Sequence, residues 1–184
     1  MKNVVIDTER LTLKSPVGVV KSEDMLVAIN DKETLQYISG APKNYRLEDA
    51  KSFINFLTLV EESDETLQLG VFEKPMNQFI GMATLDNINY KKSSCELGYW
   101  ISKPYTGKGL GFEASKHLIE YAFNTLKLEK AEALVIREHQ KSMALLERLG
   151  FEKTELLKNS ETNNGVLVDQ YRFVIEKSYN LKFP

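Results

Sequence analysis

The chain is short of the residues that carry disulfide, metal and redox chemistry. Its 184 residues include one cysteine, Cys95, and two histidines, His117 and His139. One cysteine cannot close an internal disulfide, which suits a reducing compartment, so a cytoplasmic protein is expected. There is no CxxC or HExxH pattern and the histidines lie far apart, so no metal site is expected. A one-sided charge is missing too: 24 basic against 26 acidic residues leave a net charge of -2, with no long basic run. Nucleic acid is therefore not an expected partner, although a short basic patch would still hold a small anion. No apolar run approaches the roughly 20 residues that span a bilayer. The opening MKNVVIDTERLTLK breaks its apolar run at Asp7 without forming a signal-peptide core, so no membrane partner is expected. Linkers rich in Pro, Gly or Ser, low-complexity tracts and internal repeats are also absent, which predicts a single domain over residues 1–184.

What the chain does have is a hydrophobic period that changes along its length. ERLTLK alternates Leu11 and Leu13 against Thr12 and Lys14 and predicts a strand. SEDMLVAIND predicts a helix capped by Ser22, with acidic residues in its first turn. LEDAKSFINFLTLV sets Ala50, Phe53, Ile54 and Leu57 at helical spacing, with Asn44 a distant candidate cap. TLQLGVFEK and QFIGMATLDNI then read as strands of a hairpin turning at Lys74-Pro75-Met76-Asn77, and SCELGYWIS as a third strand. After it comes a helix whose buried stripe would be Leu118, Ile119, Ala122, Phe123 and Leu126. KAEALVIRE reads as a strand. HQKSMALLERLG reads as a helix with Met143, Leu146 and Leu149 inward and Gly150 at its C-terminal cap. Two closing strands, 151–157 and 166–176, would be joined through NSETNNG. Residues 94–137 form a strand–turn–helix–strand unit, which makes two strands parallel, while the hairpins make the others antiparallel. The expected fold is α/β, or mixed α+β: a mostly antiparallel mixed sheet of about seven strands with helices on both faces.

The densest signal is YTGKGLGFEASKHLIEYAF, residues 105–123, which places glycines at 107, 109 and 111 directly before a helix. Unpaired N–H groups at a helix start attract anions, and glycine lets the backbone approach closely. A P-loop needs GxxxxGK[ST], but Phe112 and Glu113 follow Gly111. A dinucleotide fingerprint needs a third glycine where Phe112 stands, and it belongs after the first strand of a sheet rather than after a later one.

TGKGLG at 106–111 resembles the (Arg/Gln)-x-x-Gly-x-(Gly/Ala) turn of the GNAT N-acetyltransferases, with Gly109 and Gly111 in the required positions and Thr106 in place of the usual Arg or Gln. CELGYWI, RLEDAKSFI and HQKSMALLERLGFEK resemble segments of the branch that contains the ribosomal-protein N-terminal acetyltransferases (RimJ/RimL-like), with His139 where the branch has Asn. The ending with Asp169 and Tyr171 is also similar, so the resemblance runs over roughly residues 8 to 176 in the right order.

The resemblance implies acetyl transfer from acetyl-CoA, as co-substrate and without a metal, to a primary amine in a ternary complex. It implies a fold in which the two parallel strands splay apart. The turn Thr106, Gly107, Lys108, Gly109, Leu110 and Gly111 would hold the CoA pyrophosphate. The pantetheine arm would lie along Tyr99, Trp100 and Ile101, and His139 and Ser142 would also meet the cofactor. Many members of the family use a Tyr acid at the position that is Leu146 here, which leaves Ser142 as the candidate partner of the departing sulfur. Glu96 is the candidate base, directly or through water. The acceptor is expected to be a protein or peptide N-terminus, with a small amine such as an aminoglycoside or polyamine, or a non-catalytic CoA sensor, as alternatives. The expected assembly is a monomer or a homodimer.

Overall fold

A computed structural model describes residues 3–38, 40–163 and 166–177. Its sheet has eight strands, one more than the sequence pattern suggests. The strands are β1 (Val5–Asp7), β2 (Leu11–Lys14), β3 (Leu67–Glu73), β4 (Gln78–Asn89), β5 (Ser94–Ile101), β6 (Lys130–Ile136), β7 (Glu152–Asn163) and β8 (Val166–Glu176). They lie in the order β1-β2-β3-β4-β5-β6-β8-β7. The added strand is β1, which pairs antiparallel with β2 at the sheet edge. Three residues are too few to show a period. Of the NSETNNG connection, the stretch to Asn163 extends β7, and residues 164–165 lie outside those described.

The helices are α1 (Ser22–Ile29), α2 (Lys32–Leu35), α3 (Leu47–Val60), α4 (Leu110–Asn124) and α5 (Gln140–Arg148). Three of the sequence expectations about them change, and one helix is added. Lys21 rather than Ser22 is the cap of α1, and its backbone N–H donates to the Asp24 carboxylate. Arg46 rather than Asn44 precedes α3, its N–H donating to Asp49 at 2.8 Å. Helix α2, one turn long, has no counterpart in the sequence reading. It forms because the Asp31 carboxylate accepts the N–H groups of Glu33 and Thr34. Leu126 lies beyond the end of α4. Gly150, at φ 85° just past α5, supplies the left-handed cap that was expected there.

Alternation along the strands splits the core in two. Cys95, Leu97 and Ile101 of β5 join a cluster with Leu118, Ile119 and Ala122 of α4 and Met143 and Leu146 of α5. On the opposite face, Met82, Phe72 and Phe79 pack with Met25, Ala50 and Leu57 under α1 and α3, with Trp100 against them. Helices therefore cover both faces. Leu118, fully buried between α4 and the sheet, would cost about 2–5 kcal/mol on truncation to alanine.

The feature that positions the site is the one parallel pair among the described residues. β5 and β6 are bonded only at Ser94↔Lys130, Cys95↔Ala131 and Glu96↔Glu132. Beyond Glu96 each strand continues without the other: β5 stays on β4 to Ile101, and β6 stays on β8 to Ile136. The sheet opens there into a wedge.

Candidate active site

At the open end of the wedge, β5 leads through Ser102 into a 3-10 turn, Lys103–Tyr105, whose last carbonyl bond is doubled: Thr106 donates to the Lys103 carbonyl through both its N–H and its hydroxyl, at 3.2 and 2.9 Å. Gly107 (φ 75°) and Gly109 (φ 78°) then adopt left-handed backbone that other residues enter only at a cost, and Leu110 starts α4. The first N–H groups of α4 have no intrahelical acceptor, and the helix dipole adds positive potential. Thr106, Gly107, Lys108 and Gly109 are all exposed, whereas Leu110 is buried and offers a ligand only its backbone. Gly111 packs its backbone beside Tyr99, Ile101 and Leu145.

Alternation puts the side chains of β5 on two sides. Tyr99 faces α5, and its hydroxyl lies 3.0 Å from Ser142 Oγ. Ser142 is buried in the first turn of α5, after His139, and its N–H donates to the His139 carbonyl. Burial pushes the Tyr99 phenol up to about 12, so it stays protonated, and the bond to Ser142 partly offsets that push. The His139 ring stacks on Tyr37, centroids 3.8 Å apart and planes 2° from parallel. Burial, with help from Lys141, lowers His139 to about 4, so the imidazole is neutral at physiological pH. Tyr37, at the end of α2, and an ion pair between Glu33 and Lys103 tie the α2 segment to both sides of the wedge mouth. Trp100 points the other way, edge-on to Phe79 at 5.9 Å, and its ring belongs to the second core cluster.

Glu96 sits on the Trp100 side of β5, at the last paired position before the wedge. Its register partners are Asp86 on β4 and Glu132 on β6, so three carboxylates cross the sheet in one row. The outer two have more partners of their own. Asp86 accepts from Thr66 at 2.8 Å, Gln68 at 2.5 Å and Thr84 at 2.7 Å. Glu132 pairs with Lys130 at 2.5 Å and Arg172 at 3.1 Å. Among the described residues Glu96 receives only the Asn87 amide, at 3.1 Å. Burial raises its carboxyl, and Asp86 and Glu132 add to the rise against the opposing Asn87 bond and Arg172 charge. Gly98 keeps this strip open, since a Cβ there would meet Thr84 Oγ1 at 2.6 Å. Beneath it lies Cys95, buried, its thiol pushed up to about 12 by burial, with Asp86 and Glu96 contributing.

Of the residues named from the sequence, the structure gathers Tyr99, Ile101, the 106–111 turn, His139 and Ser142 around the wedge, with Glu96 at its apex. The Trp100 ring stands apart in the core. Sequence reasoning missed the Tyr99 hydroxyl as the partner of Ser142, the Tyr37 ring on His139, and the Asp86 and Glu132 flanks. Alternation along CELGYWI, already visible in the sequence, separates Tyr99 from Glu96. The other contacts join residues far apart in the chain and have no local signal. Among the described residues no helix is long and apolar enough to cross a membrane, and no group of three or more His, Cys, Asp or Glu is set to hold a metal ion.

A family model described as an acetyltransferase (GNAT) domain matches residues 10–152. The uncharacterized N-acetyltransferase p20 of Bacillus licheniformis is 30% identical over 171 residues, covering 92% of this chain and 94% of that protein. Among solved structures, one provisionally described as a ribosomal-protein-serine acetyltransferase from Vibrio cholerae has a TM-score of 0.84 at 27% identity, over 96% of this chain and 100% of the other. A Vibrio cholerae spermidine N-acetyltransferase, in complex with CoA and spermine, has a TM-score of 0.77 at 22% identity, over 92% and 96% of the two chains, a likeness of fold.

Proposed function

The chain belongs to the GNAT acetyltransferase family, and from that premise we propose that it moves the acetyl group of acetyl-CoA to the α-amine at a protein or peptide N-terminus. The observation that carries this reading is the wedge itself: a protonated hydroxyl pair, Tyr99 and Ser142, on one side of β5, and a carboxylate with a raised pKa, Glu96, on the other. The donor enters from the glycine turn and the amine from the Glu96 face. The amine nitrogen bonds to the thioester carbonyl carbon, the C–S bond breaks, and the amine gives up a proton while the sulfur takes one. Glu96 accepts the first proton, directly or through water, and the Ser142 hydroxyl, backed by Tyr99, meets the departing sulfur. Backbone N–H groups of the turn hold the pyrophosphate. The neutral His139 ring presents one donor and one acceptor at the position where the resembling branch has an amide.

The choice of amine rests on proton affinity. An α-amine titrates near ~8 and a lysine near ~10.4, so the α-amine is freed at neutral pH at about 3 kcal/mol less. A single carboxylate base suits the cheaper deprotonation. A small polyamine is the second reading, favoured by the row Asp86–Glu96–Glu132, which offers negative charge to a second cationic nitrogen. The test is acetyl-CoA consumption on N-terminal peptides and on polyamines, separately and in competition. Turnover on peptides that spermidine does not inhibit is expected. Turnover on polyamines alone would hand the assignment to the second reading, and no turnover on any primary amine would remove both.

A further inference from the structure

We propose that Arg10, immediately before β2, is a positioning residue for the donor site: it sets the glycine turn for the pyrophosphate and cancels the Glu113 charge that would oppose an anion there. The inference rests on the acetyl-CoA reading above.

Two sets of contacts support it. Arg10 Nη1 donates to the Lys108 carbonyl at 2.9 Å, and Lys108 lies between the two left-handed glycines. In a trans peptide the C=O and the following N–H point in opposite directions. Drawing the Lys108 carbonyl toward Arg10 therefore aims the Gly109 N–H away from it, and this orientation is built before any ligand arrives. The second set concerns Glu113, a buried carboxylate in the first turn of α4. Ionised and unpaired, it would oppose an anion at that helix end. Arg10 Nε donates to Glu113 Oε2 at 2.6 Å, the Arg10 N–H donates to Oε1 at 2.8 Å, and Thr8 Oγ1 donates to the same Oε1 at 2.6 Å. Burial by itself would raise the Glu113 carboxyl. The Thr8 and Arg10 hydrogen bonds and the Arg10 charge outweigh it and hold the group below its ordinary range, so it is ionised and its charge is cancelled where it stands.

The remaining guanidinium nitrogen, Nη2, lies beside the turn, 3.5 Å from where a Cβ on Gly109 would sit, and places a further N–H donor near the helix end. Lys108 is the other cation of the turn, and its ammonium rests over the Tyr105 ring at 5.1 Å. The turn is thus held by a residue 98 positions away in the chain. The pair of left-handed glycines leaves its backbone free to rotate, and Arg10 chooses the orientation.

The experiment compares two donors that differ in the phosphates. S-acetyl-pantetheine carries the same thioester as acetyl-CoA but neither pyrophosphate nor nucleotide. Arg10→Met is expected to raise the KM for acetyl-CoA and the calorimetric Kd for CoA on the order of 10-fold, the size of one charge-assisted bond. It should leave kcat at saturating acetyl-CoA, and kcat/KM for S-acetyl-pantetheine, within about 2-fold of wild type on the same scale. Arg10→Lys, which keeps the charge but loses the fork, is expected to fall between the two, and it makes the same comparison should Arg10→Met fail to fold. Equal losses on both donors would mean that Arg10 only staples β2 to α4, and undiminished CoA binding would mean that it does not act on the turn; either overturns the inference. A wild-type protein that neither binds CoA nor consumes acetyl-CoA removes the acetyl-CoA reading and this inference with it. Wild-type turnover with equal losses on both donors removes only the role of Arg10.

Discussion

The two sides of the wedge are built by different means. On the proposed donor side the surface is backbone: two left-handed glycines, a helix start and a carbonyl drawn back by Arg10. On the proposed acceptor side it is side chains, a row of carboxylates from three strands with the central one holding the fewest hydrogen-bond partners. Backbone recognition depends on conformation more than on the identity of side chains. Side-chain recognition depends on which residues adjoin across the sheet, and there a single substitution alters charge, pKa and space together.

The largest effects should come from breaking the acceptor side and the hydroxyl pair. Ser142→Ala is expected to lower kcat about 100-fold while the KM for acetyl-CoA moves less than about 3-fold, by steady-state kinetics. Glu96→Gln should cost a similar factor of about 100 at neutral pH. It should also abolish the acid limb of the wild-type pH–rate profile. As the proposed base Glu96 would accept a proton only when ionised, and its pKa is raised, so activity should fall with decreasing pH at a value above the ordinary glutamate range. Asp86→Asn removes a charge that lifts Glu96 and should move that limb to lower pH; an unmoved limb would assign it to another group.

Smaller effects are expected on the donor side. Gly109→Ala forces an alanine to φ 78°, about 1–2 kcal/mol of strain, and should raise the KM for acetyl-CoA up to about 10-fold without touching the KM for the amine. The last effect is on stability and leaves the chemistry aside. Glu113→Gln should lower denaturant stability at pH 7 by about 1.5–3 kcal/mol, the worth of a charge-assisted hydrogen bond. The folded pKa of Glu113 is depressed, so its contribution is present above the unfolded carboxyl range and fades as pH falls through the folded value. The two proteins should therefore converge in acid, and a constant gap from pH 7 to pH 3 would exclude the linkage.

Most of the fold was legible because periods are local. The alternation in β2 to β6 and the stripe of α4 can be read within ten or so residues. What escaped was short or non-local: β1 has three residues, and α2 exists through an aspartate cap on a single turn. The same division holds at the site. Gly107 and Gly109 are visible in sequence because their backbone conformation requires glycine. Ser142 and Glu96 stood out through resemblance to a family. The Arg10–Glu113 pair spans 103 positions and the Tyr99–Ser142 pair 43, and neither leaves a trace in local spacing. His139 was singled out as a departure from the family pattern, but its partner Tyr37 could be found only once α2 was in place.

Cys95 has a practical consequence. It is the chain's one cysteine, it is buried, and its thiol is held near 12 as a protonated, poorly nucleophilic group. Transfer from acetyl-CoA would release one free thiol per turnover. A colorimetric thiol reagent added to the unmodified protein should therefore show a flat baseline until both substrates are present, and every absorbing equivalent after that counts one acetylated amine. The molecule carries its own silent background, and the acceptor can be sought in a plate reader without engineering the enzyme.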